Sequence, residues 1–348
     1  MKGRLFEFGL DEYIKKEFEN YNYNNNNKFL GRVIAEYKGI YKVATEELDI
    51  MARVNGNFIK STEDSSSYPG VGDWIVIDRT SNKNGDGIIL KVLPRKSYVS
   101  RKVAGIKTDE QIIASNIDTL FICMSCNNDF NLRRLERYIA IGWDSGATPV
   151  VIITKIDLCD DVFRLKSELE EITVGIDVVY LSSITSDGTE GIDKYLNVGQ
   201  TIGFIGSSGV GKSTLINYLI GEEKMNVSSI RESDQKGKHT TTHRELIVIK
   251  DKGIVIDTPG MREVQLMDNV DGIETSFKDI SSISVRCKFN DCKHNNEPGC
   301  AVREAIQNGS INVERLDSYN KLMREAKFIE KKNILKARQE DKKKRYLK

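Results

Sequence analysis

Between residues 30 and 98, short runs of β-branched and apolar residues alternate with turn formers. The runs are GRVIAEY, IYKVA, DIMARV, NFIKS, WIVID and GIILKVL, and each reads as a strand. Asn55-Gly56 and Asn84-Gly85-Asp86-Gly87 are hairpin signals, and Pro69-Gly70 breaks the chain. So many strands in so short a stretch predict a small barrel. An OB-fold is the leading arrangement and an SH3-like barrel the alternative. Near Ile112 the pattern changes. TLFICMS, PVVIITK, DVVYLSS, TIGFIG and GIVID are continuous apolar runs, separated by helical stretches at Leu132–Gly142, Val162–Glu171 and onward from Lys212. Buried strands alternating with helices predict an α/β domain on a mostly parallel sheet, with phosphate ligands at the carboxyl ends of the strands.

The flanks differ from both. Leu5, Phe6, Phe8, Leu10, Tyr13 and Ile14 suggest a short helix with no clean stripe, and the asparagine tract after it reads as a linker. Residues past 276 hold a cysteine–histidine cluster and helical patterns that end in lysine. The expected organisation is an extension at 1–29, an OB-fold at 30–98, an α/β domain at 108–275 and a helical metal-binding domain with a basic tail at 276–348.

Composition narrows the class. With 348 residues, 39% hydrophobic and 30% charged, the chain fits a globular protein of several domains. It has no apolar run of the roughly 18 residues a membrane span needs, and no secretion signal at its start, so a cytoplasmic protein without a membrane partner is expected. Six cysteines are too few for a disulfide scaffold. The net charge of +1 is a cancellation: residues 321–348 carry 12 Lys/Arg against 4 Asp/Glu, a local +8, leaving −7 on the rest. Such a basic helical end is a candidate RNA-contacting arm.

Gly206 to Thr214 reads GSSGVGKST and fits G-x-x-x-x-G-K-[ST] between a strand and a helix. Backbone N–H groups of Gly206, Ser207, Ser208, Gly209, Val210 and Gly211 are expected to cradle phosphates. Lys212 is expected to reach the β- and γ-phosphates, Ser213 to ligate Mg²⁺, and Thr214 to complete the loop. Asp257-Thr258-Pro259-Gly260 ends a buried strand 45 residues beyond Lys212 and matches D-x-x-G. Asp257 would hold Mg²⁺ through water, and the Gly260 N–H would sense the γ-phosphate. Between them lies GKHTTTHREL. One of Thr240, Thr241 and Thr242 should close the Mg²⁺ shell, with Thr241 and Thr242 favoured.

The base site lies upstream. Strand PVVIITK runs into Thr154-Lys155-Ile156-Asp157, where the Asp157 carboxylate could accept from guanine N1–H and the 2-amino group. Adenine offers neither donor, so such a site rejects it. Lys155 could lay its stem over the ring, and Ser182-Ser183 could offer a backbone N–H to guanine O6. The order is therefore base, phosphate loop, threonine loop, D-x-x-G, a circular permutation of the usual GTPase order.

Cys287, Cys292, His294 and Cys300 lie within 14 residues, and three thiolates with one imidazole suit a closed, structural tetrahedral Zn²⁺. Cys123 and Cys126 form C-x-x-C, but Cys123 belongs to an apolar strand and reads as core; Cys159 reads as incidental.

Together these motifs resemble the ribosome small subunit-dependent GTPase A (RsgA) family over roughly residues 30–310. The resemblance implies an N-terminal OB-fold, a permuted GTPase domain and a C-terminal zinc domain. It also implies guanine contacts at Thr154, Lys155, Ile156 and Asp157, and a partner in the small ribosomal subunit and its rRNA, which would stimulate hydrolysis during late maturation. A monomer is expected. The pattern departs at Thr154, where many GTPases have Asn, and at Met261, whose thioether cannot orient water. His239 is then the in-chain candidate for positioning water. Gly209 stands where some permuted GTPases carry a potassium-binding Asn, so no potassium dependence is expected. A GTP-sensing RNA-binding module with negligible catalysis is the alternative, and an ATP-driven enzyme on single-stranded DNA is disfavoured by Asp157.

Overall fold

A computed structural model describes residues 3–22, 28–37, 39–56, 65–83, 85–102, 110–127, 129–221, 244–257 and 270–346. The chain divides into two compact units. One comprises Met1–Phe130, Ser145–Val162 and Ile176–Val264; the other comprises Asn131–Asp144, Phe163–Gly175 and Gln265–Lys348.

The first unit opens with helices α1 (Arg4–Glu7) and α2 (Glu12–Asn22). Five strands follow: β1 (Phe29–Tyr37), β2 (Ile40–Thr45), β3 (Asp49–Val54), β4 (Trp74–Ile77) and β5 (Gly87–Val92). Strand β1 pairs with β2, β2 with β3, β3 in parallel with β5, β5 with β4, and β4 returns to β1. That closure is the OB arrangement and excludes the SH3-like alternative. A register shift in β1 between Val33 and Ala35 lets one strand serve two neighbours. Val33, Val43, Ile50, Ile75, Ile77 and Ile89 fill the barrel. Gly85 takes the turn before β5 with φ +99°, as the glycine signal predicts. The expected strand NFIKS lies outside the described residues.

A two-stranded ribbon, β6 (Tyr98–Lys102) with β7 (Glu110–Ser115), leads from the barrel. Then come β8 (Thr119–Ser125), β9 (Thr148–Thr154), β10 (Asp177–Tyr180), β11 (Thr201–Ile205), β12 (Arg244–Val248) and β13 (Ile254–Asp257). Their spatial order is β10-β9-β8-β11-β13-β12, parallel except for β12. The chain builds β8, β9 and β10 outward in one direction, then returns to place β11 on the other side of β8. The order therefore reverses between β8 and β11, the place where such sheets bind ligands. Phe121, Ile152, Phe204, Leu215 and Val255 pack one core of this sheet.

Barrel and sheet are continuous. Strand β1 pairs with β12 through Ala35 opposite Glu245 and Glu36 opposite Arg244. Buried Arg244 donates to Glu36 at 3.2 Å and to the Ile112 carbonyl at 3.1 Å. A second tie is Arg32, only 1% exposed. Its guanidinium donates to the carbonyls of Gly72 at 3.1 Å, Asn116 at 3.1 Å and Phe8, and to Thr201 Oγ1 at 3.1 Å. One side chain thus joins barrel, linker, N-terminal segment and the first residue of β11. Burial lowers its pKa to about 10, opposed by Asp118, Asp73 and Asp11, so it stays charged at neutral pH.

The second unit is helical: α3 (Leu132–Asp144), α4 (Val162–Glu170, whose first residue belongs to the other unit), α6 (Asp271–Ser276), α7 (Lys278–Ser284), α8 (Ala301–Gln307) and α9 (Val313–Tyr346). Helix α5 (Lys212–Ile220) belongs to the first unit. Buried Arg315 of α9 bonds both carboxylate oxygens of Asp279, at 2.6 and 2.8 Å, and Glu136 of α3 at 2.9 Å; its guanidinium lies 4.6 Å over the Phe277 ring. Among the described residues no helix is long and apolar enough to cross a membrane.

Replacing Arg32 with Ala strands three carbonyls and a hydroxyl in the interior. We expect a loss of about 3 kcal/mol, read as a lower denaturant midpoint. Arg32→Lys is expected to rescue little, because an ammonium cannot span four acceptors.

Candidate functional site

The phosphate loop leaves β11 at Gly206 and closes at Gly211, the N-cap of α5. Gly206 has φ +145°, and a Cβ there would lie 2.3 Å from the Cys123 carbonyl of β8. Only glycine lets the loop start so close to its neighbouring strand. Gly209 and Gly211 are also left-handed, at φ +78° and +99°, which turns successive N–H groups toward one concavity. Lys212 Nζ donates to the Gly206 carbonyl at 2.6 Å and the Ser207 carbonyl at 2.5 Å, so the ammonium stands at the loop's mouth. Ser213 and Thr214 follow in the first turn of α5, both partly exposed. Asp257 ends β13, two strands from β8.

The loop after β9 is joined to this one. Thr154 is buried, and its hydroxyl bonds the Val210 carbonyl of the phosphate loop and, at 3.3 Å, the Met124 carbonyl at the end of β8. Lys155 takes a left-handed backbone, φ +56°, and its ammonium donates to the Gly209 carbonyl at 2.7 Å. Both side chains thereby reach across the end of β8 to the phosphate loop. The resemblance implies a guanine contact at Thr154; in this structure its hydroxyl lies on two carbonyls. Ile156 donates its N–H to the Leu181 carbonyl at 3.3 Å and opens a short 3-10 turn, Ile156–Leu158, in which Asp157 is exposed to solvent. Ser182 is buried; its N–H is committed to the Asp187 carbonyl at 2.9 Å, and its hydroxyl caps Ile184 and Thr185. Of the serine pair, Ser183 is therefore the one whose N–H suits an external acceptor.

Thr154–Asp157, Ser182–Ser183 and Gly206–Thr214 thus meet at one end of the sheet, on the loops that follow β9, β10 and β11. His239, Thr240, Thr241, Thr242, Gly260 and Met261 lie outside the described residues.

In the second unit the side chains of Cys287, Cys292, His294 and Cys300 present ligand atoms all within 4.8 Å of one another, an arrangement that could hold a metal ion. His294 Nδ1 stands 3.4 Å from Cys300 Sγ and 3.6 Å from Cys287 Sγ. His294 and Gly299 both adopt left-handed backbones, at φ +59° and +73°, folding the short loop around the cluster. Burial lowers the His294 pKa, against a smaller opposing effect of Glu297, and so favours the neutral, ligating ring.

The sequence reading missed the pairing of two cysteines. Cys159 is not incidental: it forms a disulfide with Cys126, their Cα atoms 5.5 Å apart. The C-x-x-C partner Cys123 is core as expected, fully buried, its thiol pKa pushed up to about 12 by burial. Nothing in the linear spacing pairs Cys126 with a residue 33 positions away; β8 and β9 must first be set side by side.

The RsgA GTPase family model matches residues 92–267. The chain is 42% identical over 324 residues to the small ribosomal subunit biogenesis GTPase RsgA 2 of Lactiplantibacillus plantarum, covering 93% of this chain and 90% of that one. It is also 42% identical over 302 residues to the small ribosomal subunit biogenesis GTPase RsgA of Methanosarcina acetivorans, covering 87% and 80%. Among solved structures it resembles YjeQ from Thermotoga maritima, with a TM-score of 0.64, 27% identity and coverage of 86% and 98%. It also resembles YloQ, a circularly permuted GTPase, with a TM-score of 0.61, 25% identity and coverage of 87% and 96%.

Gly206→Ala is expected to displace the phosphate loop from β8. Nucleoside diphosphate affinity should fall by about tenfold or more, about 1.4 kcal/mol, in a fluorescence titration, with little change in circular dichroism.

Proposed function

The chain belongs to the RsgA GTPase family, and on that premise we propose that it hydrolyses GTP to GDP and phosphate in the biogenesis of the small ribosomal subunit. One observation carries the assignment of the site: Thr154 and Lys155 bond the Val210 and Gly209 carbonyls, so the loop bearing Asp157 and the loop bearing Lys212 form one surface. A nucleotide bound there would present its base to Asp157 and Ser183 and its phosphates to Gly206–Thr214.

The chemistry asked of these residues is positioning and charge stabilisation. Backbone N–H groups of the loop and the α5 N-terminus hold the β-phosphate. Lys212 would leave the Gly206 and Ser207 carbonyls for the β- and γ-oxygens, where charge builds as the γ-phosphoryl departs. Ser213 and Asp257 are the described residues suited to Mg²⁺, with Thr241 or Thr242 completing its shell; the ion, when bound, neutralises phosphate charge. Water attacks in line, and His239 is the residue of this chain we assign to orienting it, since Met261 cannot.

The Cys287–Cys292–His294–Cys300 set fits zinc by its donor chemistry, and four protein ligands leave no open position, so its role is to hold the second unit's loop in shape. The OB-fold and the basic end of α9 are the surfaces we assign to rRNA, in a cytoplasmic monomer. The exposed Phe328, Ile334 and Leu335 along that helix suit such a contact.

The deciding experiment is GTP turnover with and without purified small ribosomal subunits. We expect a rise of at least about tenfold, abolished by Lys212→Ala; an unchanged rate would favour the GTP-sensing module. Asp157→Asn should cost about 100-fold in GDP affinity while leaving ADP affinity unchanged. The Cys292→Ser protein should lose its one equivalent of zinc, measured by elemental analysis, and the second unit should unfold at a lower denaturant concentration.

A further inference from the structure

The Cys126–Cys159 disulfide takes no part in the machinery above, yet it brackets the base loop. Cys126 lies just past β8, and its N–H donates to the Thr154 carbonyl at 2.9 Å. Cys159 closes the 3-10 turn that carries Asp157, its own N–H on the Ile156 carbonyl at 3.1 Å. The loop's upstream end is thus held by the β9 ladder, Thr154 and Lys155, while the bond to Cys126 ties its downstream end back to the exit of β8. Asp157 sits between the two anchors. Cys126 is buried and Cys159 half-buried, so a small thiol approaches at Cys159. Cys123, fully buried with its thiol pKa near 12, does not compete as a nucleophile. The Cα separation of 5.5 Å lies inside the usual disulfide window of about 4.4–6.8 Å, so the pair closes without moving the backbone.

We propose that Cys126 and Cys159 are a redox-controlled clasp on the guanine loop: closed, it slows nucleotide release; opened by a low-molecular-weight thiol, it speeds it. The inference rests on the assignment of Thr154–Asp157 to the base. In opening, a thiolate attacks Cys159 Sγ, the bond to Cys126 breaks, and Cys126 leaves as a thiolate that takes up a proton. A second thiol molecule then resolves the mixed disulfide, so two thiols are oxidised to one small disulfide while the protein gains two S–H groups. Closing is the reverse, with a small disulfide as oxidant. The physical basis is preorganisation. A loop held at both ends loses less freedom when guanine binds, and the difference falls mainly on the dissociation rate.

The test uses the full-length, zinc-loaded protein in mixtures of reduced and oxidised glutathione. Differential alkylation and peptide mass spectrometry read the state of Cys126 and Cys159, and a zinc-responsive dye confirms that the metal cluster stays loaded. Displacement of a fluorescent GDP analogue gives the release rate. We expect the bonded form to release it about fivefold more slowly, and Cys159→Ser to release at the fast rate in every mixture. The proposal is overturned if no mixture yields the Cys126–Cys159 bond, or if the bond forms and the release rate changes less than about twofold. A fluorescent ADP analogue run alongside separates the premise: equal affinity for the two analogues removes the base assignment, and the clasp with it, whereas a preserved guanine preference with an unchanged release rate removes the clasp alone.

Discussion

The barrel and the GTPase sheet hold together around a buried cation. Arg32 spends its guanidinium on Gly72, Phe8, Asn116 and Thr201, which come from four separate stretches of chain. An arginine in the interior is costly unless every donor finds an acceptor in place. Arg32 therefore selects one mutual placement of these segments. Thr201 is the first residue of β11, and β11 leads directly into the phosphate loop. The constraint that fixes the barrel also fixes the strand on which phosphate chemistry depends.

A second constraint comes from the strand order. The base strand β9 and the phosphate strand β11 flank β8, so the base loop and the phosphate loop are not on adjacent strands. Two strand spacings of about 4.8 Å separate β9 from β11, and something must bridge the end of β8. Thr154 does this with one hydroxyl shared between Met124 and Val210, and Lys155 with a long stem that ends at Gly209. A hydroxyl carries one proton, which Thr154 shares between these two carbonyls at the junction of the loops.

Much of this was legible in the sequence, and the reason is local. The barrel strands, the apolar strands of the sheet, the phosphate loop and the Cys/His spacing each depend on residues close together in the chain. The OB closure follows from topology once β3 is seen to pair in parallel with β5, a non-local fact that periodicity cannot supply. Arg32 looked like an ordinary strand residue, because the acceptors that justify its burial lie 24 to 169 positions away. The ribbon of β6 and β7 had no counterpart in the sequence reading, since its short runs carry too little apolar signal to stand apart.

The cysteines show the same limit most sharply. Cys123 and Cys126 are close in sequence as C-x-x-C, but β-strand geometry sends them apart. Cys123 lies within β8 and points into the core, whereas Cys126 lies beyond the strand's end, where β9 delivers Thr154 alongside it. Sequence neighbours are separated by the pleat, and Cys159, read as incidental, is brought in by the turn that presents Asp157. The pairing of β8 with β9 makes that meeting possible. Because β8 lies between the base strand and the phosphate strand, its exit is the one fixed point both loops must pass. Thr154 uses it through the Met124 carbonyl and Cys159 through Cys126. Noncovalent and covalent ties to the same strand end then hold the two ends of one short loop, and the loop loses freedom with each tie that is closed.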